Sequence, residues 1–442
     1  MSPAASTTSA ATSAPLPGHV SNLTVKENDM LKQLWTRLFE LFKQKGTEWA
    51  PAKTEEAPAK KGWFGKKEPV LVKDVFIGVG VDPQWLALPL EKALPLIPGT
   101  SLRSTFWNMI ATDNPDAVCL RFLRARKWDL DAAYNMLTNT LRWRLSYRID
   151  DIVALGENGM RDELNRLQPE LGDCFVTQLN SGKAYLGGPD KDGRGICFIN
   201  VCFHLKEDQP AEIIKLLTMY IMETSRVVVH QPVESACIVF NMDKFTLKNM
   251  DFDFVKFLVT CFEAYYPETL GSCLIHRAPW VFSTIWNLIT PLLDPVVASK
   301  IHFTKDCKEL TNFVPMDALP GNITGEVGKK TRDEAMKIDP VKPGTLTTPA
   351  TPAYQDYQDM IKEYQFETLD WAKSKTAEDS NETDTRRELA RQYRVARIKA
   401  EFDVRGPTSY QAKGLITVNA EGRVFLDYGS DNWVPLDITE TV

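Results

Sequence analysis

The chain has 442 residues, 43% of them apolar and 25% charged, with a net charge of −6 at pH 7. That length admits two or three domains of roughly 100–200 residues each, and the composition is that of an ordinary globular protein. The acidic balance argues against broad electrostatic attachment to nucleic acid or to an anionic membrane. Any membrane contact must then rest on apolar surface or on local basic patches.

Eight cysteines occur, none in a CxxC pair, and most lie in apolar runs such as ICFINVCF (196–203). This usage points to buried, reduced thiols rather than disulfides or metal. The five histidines are scattered, with neither HxxxH nor HExxH spacing, so no metal site or cofactor set is readable. The N-terminus, MSPAASTTSAATSAPLPG, has no basic n-region, apolar core or arginine and does not read as a signal or transit peptide. The longest apolar stretch, WVFSTIWNLITPLLDPVV (280–297), is short for a membrane span and is broken by Pro291 and Asp294. A soluble, cytoplasmic protein is expected.

Residues 1–22 read as disordered, and 24–45 as a helix with a stripe of Leu31, Leu34, Trp35, Leu38, Phe39, Leu41 and Phe42. A linker follows with KKGWFGKK (60–67), either a solvated tether or a small patch for an anionic bilayer. The first 70 residues form one unit, and a helical region occupies 71–165. One helix there starts at Asn114-Pro115-Asp116, a cap followed by proline and an acid in the first turn, and another starts at Asp129.

From 166 to 325 short β-rich runs alternate with helices: FVTQL (175–179), AYLGG (184–188), GICFINVCF (195–203), ACIVFNM (236–242), GSCLIH (271–276) and SKIHF (299–303). The turn PDKDGR (189–194) joins two early strands. Several strands are apolar on both faces, as in a sheet covered by helices or facing a cavity. The fold class is α/β: an N-terminal helical bundle, then a mixed, mostly parallel sheet with helices. A C-terminal extension (326–442) begins with a polar linker, has helices near 355–373 and 383–402, and ends in short strands.

Catalytic motifs fail. There is no GxSxG elbow; GEVGKKT (325–331) lacks the first glycine and the Ser or Thr of a phosphate loop; no cysteine heads a Cys-x5-Arg loop. On a helix over 115–127, Arg121 and Arg124 point away from Cys119, Leu120, Phe122 and Leu123, while Arg126 and Lys127 fall at the edges of the apolar face. They serve either as helix C-terminal charges or as partners for an anion.

RFLRARKWDLDAA (121–133), DKDGR (190–194), YYPETLG (265–271), APWVFSTIWNLITPLLDP (278–295) and VASKI (297–301) follow in order and spacing. Together they resemble the CRAL-TRIO lipid-binding family, in its phosphatidylinositol-transfer branch, over roughly residues 100–325. The resemblance implies a helical bundle before a sheet-floored apolar pocket closed by a mobile gate helix. It implies a phosphatidylinositol headgroup site at Arg126, Lys127, Glu268 and Lys300. Their chemistry suits that headgroup, since three cations neutralise a phosphodiester and a carboxylate accepts from inositol hydroxyls. Where relatives that carry phosphatidylcholine have hydroxyl side chains, this chain has Leu186, Cys197, Ala236 and Ile238. The expected second ligand is therefore more apolar, sterol-like or an isoprenoid hydrocarbon. The gate helix carries Phe282, Ile285, Trp286 and Ile289.

The expected function is transfer of phosphatidylinositol between membranes, with transient contacts to endoplasmic reticulum, endosome or lipid-droplet surfaces. The alternative is a sensor that presents phosphatidylinositol to a lipid kinase. An enzyme is disfavoured because no nucleophile, metal or cofactor set is readable, and nucleic acid is not an expected partner.

Overall fold

The computed structural model describes residues 16–47, 81–226, 229, 233–326, 342–347, 351–374, 384–412, 414–421, 423–428 and 435–439. The lysine-flanked WF run at 60–67 lies outside them, as does most of the expected disordered N-terminus. Helix α1 (Val25–Leu41) starts at a capping box, Thr24 and Glu27 each satisfying the other's backbone N–H. Four more long helices follow: α2 (Gly99–Ile110), α3 (Pro115–Ala125), α4 (Leu130–Ser146) and α5 (Ile149–Leu167). Asn114 and Asp129 cap α3 and α4 through their side chains, as the sequence predicts.

FVTQL is not a strand. It forms the end of α6 (Leu171–Leu179), whose Leu171 and Phe175 are buried one helical turn apart in the same cluster as α5. Packing on one side of a helix overrode the β-propensity of a five-residue window.

The central sheet has the order β1 (Ala184–Gly187), β2 (Ile196–Asn200), β3 (Ala236–Asn241), β4 (Leu270–His276), β5 (Ile301–Thr304). The turn at 189–194 makes β1 antiparallel to β2, and every later pairing is parallel. One face of the sheet, with Ile196, Phe198, Val239 and Leu274, packs on Leu310, Val314, Leu319 and Ile323. The opposite face carries the row Leu186, Cys197, Ile238, Cys273 and Ile301, in register across all five strands. Helices α7 (Ala211–Ser225), α8 (Phe252–Thr260) and α9 (Phe282–Ile289) lie over that face, and α10 (Pro295–Ser299) leads into β5. Strands apolar on both faces are what such a double-covered sheet requires.

The C-terminal extension is woven into both halves. Helices α11 (Pro352–Lys373) and α12 (Asp384–Lys399) share one apolar cluster with α1, α2, α3 and α4. Buried Arg386 donates to Asp116 at 2.8 Å, and Trp35 donates to the same carboxylate oxygen at 2.7 Å. The basic helix at 386–399 therefore packs on the core, with Arg386, Arg394 and Arg397 buried. A three-stranded antiparallel sheet, β6 (Ile416–Val418), β7 (Val424–Leu426) and β8 (Leu436–Asp437), follows. Gly188, at the end of β1, lies under the ring of Tyr428, where an added Cβ would fall 2.0 Å from Cγ; only glycine allows that approach.

Candidate lipid site

Between the sheet and helices α7, α8 and α9 lies an apolar cavity of about 290 Å³. Cys197, Ala236, Ile238 and Cys273 form part of the floor. Ile214, Leu217, Phe254, Leu258, Phe282, Trp286 and Ile289 form walls. Burial pushes the thiols of Cys197 and Cys273 up to about 12, so both stay protonated and behave as small apolar side chains.

Three of the four expected second-ligand positions, Cys197, Ala236 and Ile238, border the cavity; Leu186 does not. Leu186 sits on edge strand β1, packed in the same apolar cluster as Cys197 and Ile238, with Tyr410 of the C-terminal extension against it. Its backbone N–H donates to the Tyr410 hydroxyl at 3.0 Å. The extension thus covers this sheet edge, which sequence spacing had no means to show. Of the gate residues, Phe282, Trp286 and Ile289 border the cavity, while Ile285 packs beside them in the cluster of Phe245 and Ile275.

Of the expected headgroup residues, Glu268 and Lys300 meet at the N-terminal ends of the parallel strands, Arg126 and Lys127 follow the end of α3, and none of the four borders the cavity. Helix α3 ends at Ala125, Arg126 caps it, and Lys127 (φ 51°) and Trp128 (φ 65°) turn into left-handed backbone. Arg126 and Lys127 are exposed beyond the helix rather than at the edges of its apolar face. Glu268 also holds a positive φ of 61°. Such backbone costs L residues roughly 1 kcal/mol or more, and it concentrates at functional sites. Lys300 Nζ donates to the carbonyl of Leu270 at 2.7 Å, which brings Lys300 beside the Glu268 loop. The end of α3 reaches that loop through Arg124, whose Nε lies 4.0 Å from Glu268 Oε2. Neither Arg126 nor Lys127 forms an ion pair with it.

Sequence reasoning missed the ion cluster behind this rim. Arg121, placed on the outer side of α3 by its spacing, is buried: Nη1 bonds Asp113 at 2.7 Å and Nε lies 3.6 Å from Glu234. Arg124 bonds Glu234 at 3.0 Å. Arg121 and Asp113 border the cavity. Glu234 is 110 residues from Arg124, so no local pattern announced the pairing.

A second polar group borders the cavity near the C-terminal ends of the strands. Lys183 precedes β1, and its Nζ donates to Gln178 at 2.6 Å and to Gln209 at 3.1 Å. Burial pulls its ammonium down to about 8, against the opposing pull of Asp208. His204, buried, has its Nε2 3.6 Å from Asp251 Oδ2, too far for a hydrogen bond. Burial, aided by Lys183, holds its imidazole below the usual range, hence neutral at pH 7. Asp251 caps α8 by accepting from the N–H of Phe254. Among the described residues no group of His, Cys, Asp and Glu could hold a metal ion, and no helix is long and apolar enough to cross a membrane.

A sheet-floored apolar cavity walled by helices is the geometry of a lipid pocket. Family models agree: the CRAL/TRIO N-terminal domain matches residues 30–139 and the CRAL/TRIO domain residues 179–325. The chain belongs to the CRAL-TRIO family. It is 32% identical to the phosphatidylinositol transfer protein CSR1 of Eremothecium gossypii, over 91% of this chain and 99% of that one. It is 33% identical to the CRAL-TRIO domain-containing protein C3H8.02 of Schizosaccharomyces pombe, over 77% of this chain and 74% of that one. With the SEC14 cytosolic factor of Yarrowia lipolytica it shares 29% identity over 51% of this chain and 47% of that one.

Proposed function

We propose that this protein binds phosphatidylinositol and carries it between membranes, exchanging it for a more apolar, sterol-like ligand through movement of α9. The observation that carries the reading is an apolar cavity that reaches Thr269 and Leu270, the residues that Glu268 and Lys300 flank at the strand N-termini. In this reading Arg126, Lys127 and Lys300 neutralise the phosphodiester, and Glu268 accepts from inositol hydroxyls. The exposure of Arg126 and Lys127, free of carboxylate partners among the described residues, supports their availability to a headgroup. The name of the Eremothecium relative supports the choice of lipid.

Energetics dictate the route. Each methylene withdrawn from water gains roughly 0.8 kcal/mol, so a two-chain lipid does not leave through water at a useful rate. Exchange requires the opened cavity to face a bilayer. Trp280 (87% exposed), Leu288 and Val296 give α9 and its flanks an apolar outer surface suited to that contact. No bond is broken in this cycle. The membranes proposed for this contact are those of the endoplasmic reticulum, endosomes or lipid droplets.

The test is extraction of bound lipid into organic solvent and identification by mass spectrometry, comparing wild type with Lys127→Ala/Lys300→Ala. Phosphatidylinositol in the wild type and its loss in the double variant are expected. If vesicles cannot load it into the wild type, the headgroup reading fails. Transfer between vesicles without any kinase present separates a carrier from a protein that only presents lipid to a lipid kinase.

A further inference from the structure

The two polar ends of the cavity lie at opposite ends of the parallel strands. Two of the proposed headgroup residues, Glu268 and Lys300, flank Leu270, whose partner in the sheet is Ala236 at the start of β3. Lys183 and His204 lie beyond the other end: the N–H of Asn200 bonds the carbonyl of Lys183, and the N–H of His204 bonds that of Val201. Asn200 pairs with Asn241, the last residue of β3. At about 3.3 Å per residue the five steps from Ala236 to Asn241 span roughly 17 Å, and the side chains along that floor are apolar.

Part of the polarity at that far end is unspent. His204 is 7% exposed and borders the cavity, yet neither ring nitrogen has a hydrogen-bond partner among the described residues. A neutral imidazole offers one donor and one acceptor, and Lys183 has a third N–H beyond those given to Gln178 and Gln209. Asn249 is already committed: its amide bonds the carbonyls of Cys202 and His204, and its oxygen accepts from Thr246. Buried polar groups without partners are uncommon in native proteins and point to a missing ligand or water.

We propose that Lys183 and His204 form a receptor for a hydroxyl group at the tip of an otherwise apolar ligand, set at the end of the cavity away from the phosphatidylinositol headgroup residues. This rests on the reading that the cavity takes a second, sterol-like ligand, and it narrows that class to alcohols rather than hydrocarbons. A hydroxyl gives one proton to the imidazole and accepts one from the ammonium, which uses both groups. A hydrocarbon uses neither. A carboxylate meets Lys183 but also faces the Asp251 carboxylate, with Asp208 acting on the same ammonium.

A matched pair of probes tests this: tritiated cholestanol and cholestane, which differ by one hydroxyl, each offered in phosphatidylcholine vesicles to the full-length protein. Wild type should extract cholestanol roughly tenfold or more in preference to cholestane. His204→Phe and Lys183→Met should each erode that preference while cholestane uptake and phosphatidylinositol loading persist, loading serving as the check on folding. Equal uptake of the two probes by wild type, or no uptake of either, overturns the proposal. So does an undiminished preference in His204→Phe. Cholestanol preference in a protein that never loads phosphatidylinositol upholds this site and refutes the headgroup reading instead.

Discussion

The helical half and the sheet half of this molecule solve opposite problems. Around Trp35 the helical half is filled: the rings of Phe106, Trp107 and Tyr364 lie edge-on or tilted with centroids within 6.5 Å of it, and Arg386 and Asp116 form a buried ion pair beside it. The sheet half is hollow, with a cavity of about 290 Å³ over its floor. Close packing normally fills such space, so a cavity of this size forgoes contact energy. Stability is thus concentrated in the filled half and ligand capacity in the hollow one. The C-terminal extension serves both, its helices completing the filled core and Tyr410 closing the sheet edge.

The largest expected effect breaks the filled half. Asp116→Ala leaves Arg386 buried without its carboxylate and takes the acceptor from Trp35. Losing one partner of a buried pair typically costs about 3–5 kcal/mol. Chemical denaturation should show that loss, while the fraction still folded loads phosphatidylinositol as wild type does. A loss of lipid loading equal to the loss of stability would mean the halves do not act separately.

The seam between the halves gives the next effect. Glu223 on α7 accepts from Arg144 of α4 at 2.8 Å and from the Tyr266 hydroxyl at 2.8 Å. Although burial opposes it, Arg144 followed by Arg226 holds the Glu223 carboxyl down from the usual 4.5 to about 2. A depressed carboxyl contributes stability that is present above the unfolded value and lost as pH falls from about 4.5 through about 2. The contribution is roughly 3 kcal/mol. Denaturation of wild type and Glu223→Gln at pH 7 and pH 3 should show the gap between them shrinking at the lower pH; a constant gap would remove Glu223 from the acid response.

The hollow half is probed by its rim. Lys127→Ala/Lys300→Ala should weaken phosphatidylinositol binding by roughly a hundredfold, about 2.7 kcal/mol. Lys127 is exposed and Lys300 only half-buried, so denaturation midpoints should barely move. A fall in stability with binding intact would make both residues structural.

Legibility in the sequence followed the range of the interactions. Local signals were read correctly: the caps at Asn114 and Asp129, the hairpin at 189–194, and strands apolar on both faces. What escaped depended on partners distant in the chain. Arg121 fell opposite the apolar side of its helix with no local sign of burial because Glu234 lies far along the chain, and Leu186 looked like pocket floor because Tyr410 does too. FVTQL failed because a short apolar run does not distinguish strand from buried helix. Lys127 left the helix because the chain turns left-handed there, which no periodicity encodes. The far polar end escaped because Lys183, His204 and Asp251 come from three separated segments.

The smallest energetic effect carries the sharpest contrast between holding a lipid and moving it. Trp280 is 87% exposed just before α9, and it contributes nothing to the apolar clusters beneath. Trp280→Ala should therefore change stability by less than about 0.5 kcal/mol and leave the amount of bound phosphatidylinositol unchanged. Transfer between vesicles should slow, because a side chain that gains upon entering the bilayer interface has been removed. A loss of about 1.4 kcal/mol of membrane contact corresponds to a tenfold slower step. Paired measurements of bound lipid and transfer rate check this. If both stay at wild-type values, the exposed rim of α9 does not meet the bilayer, and the route of exchange lies elsewhere on the hollow half.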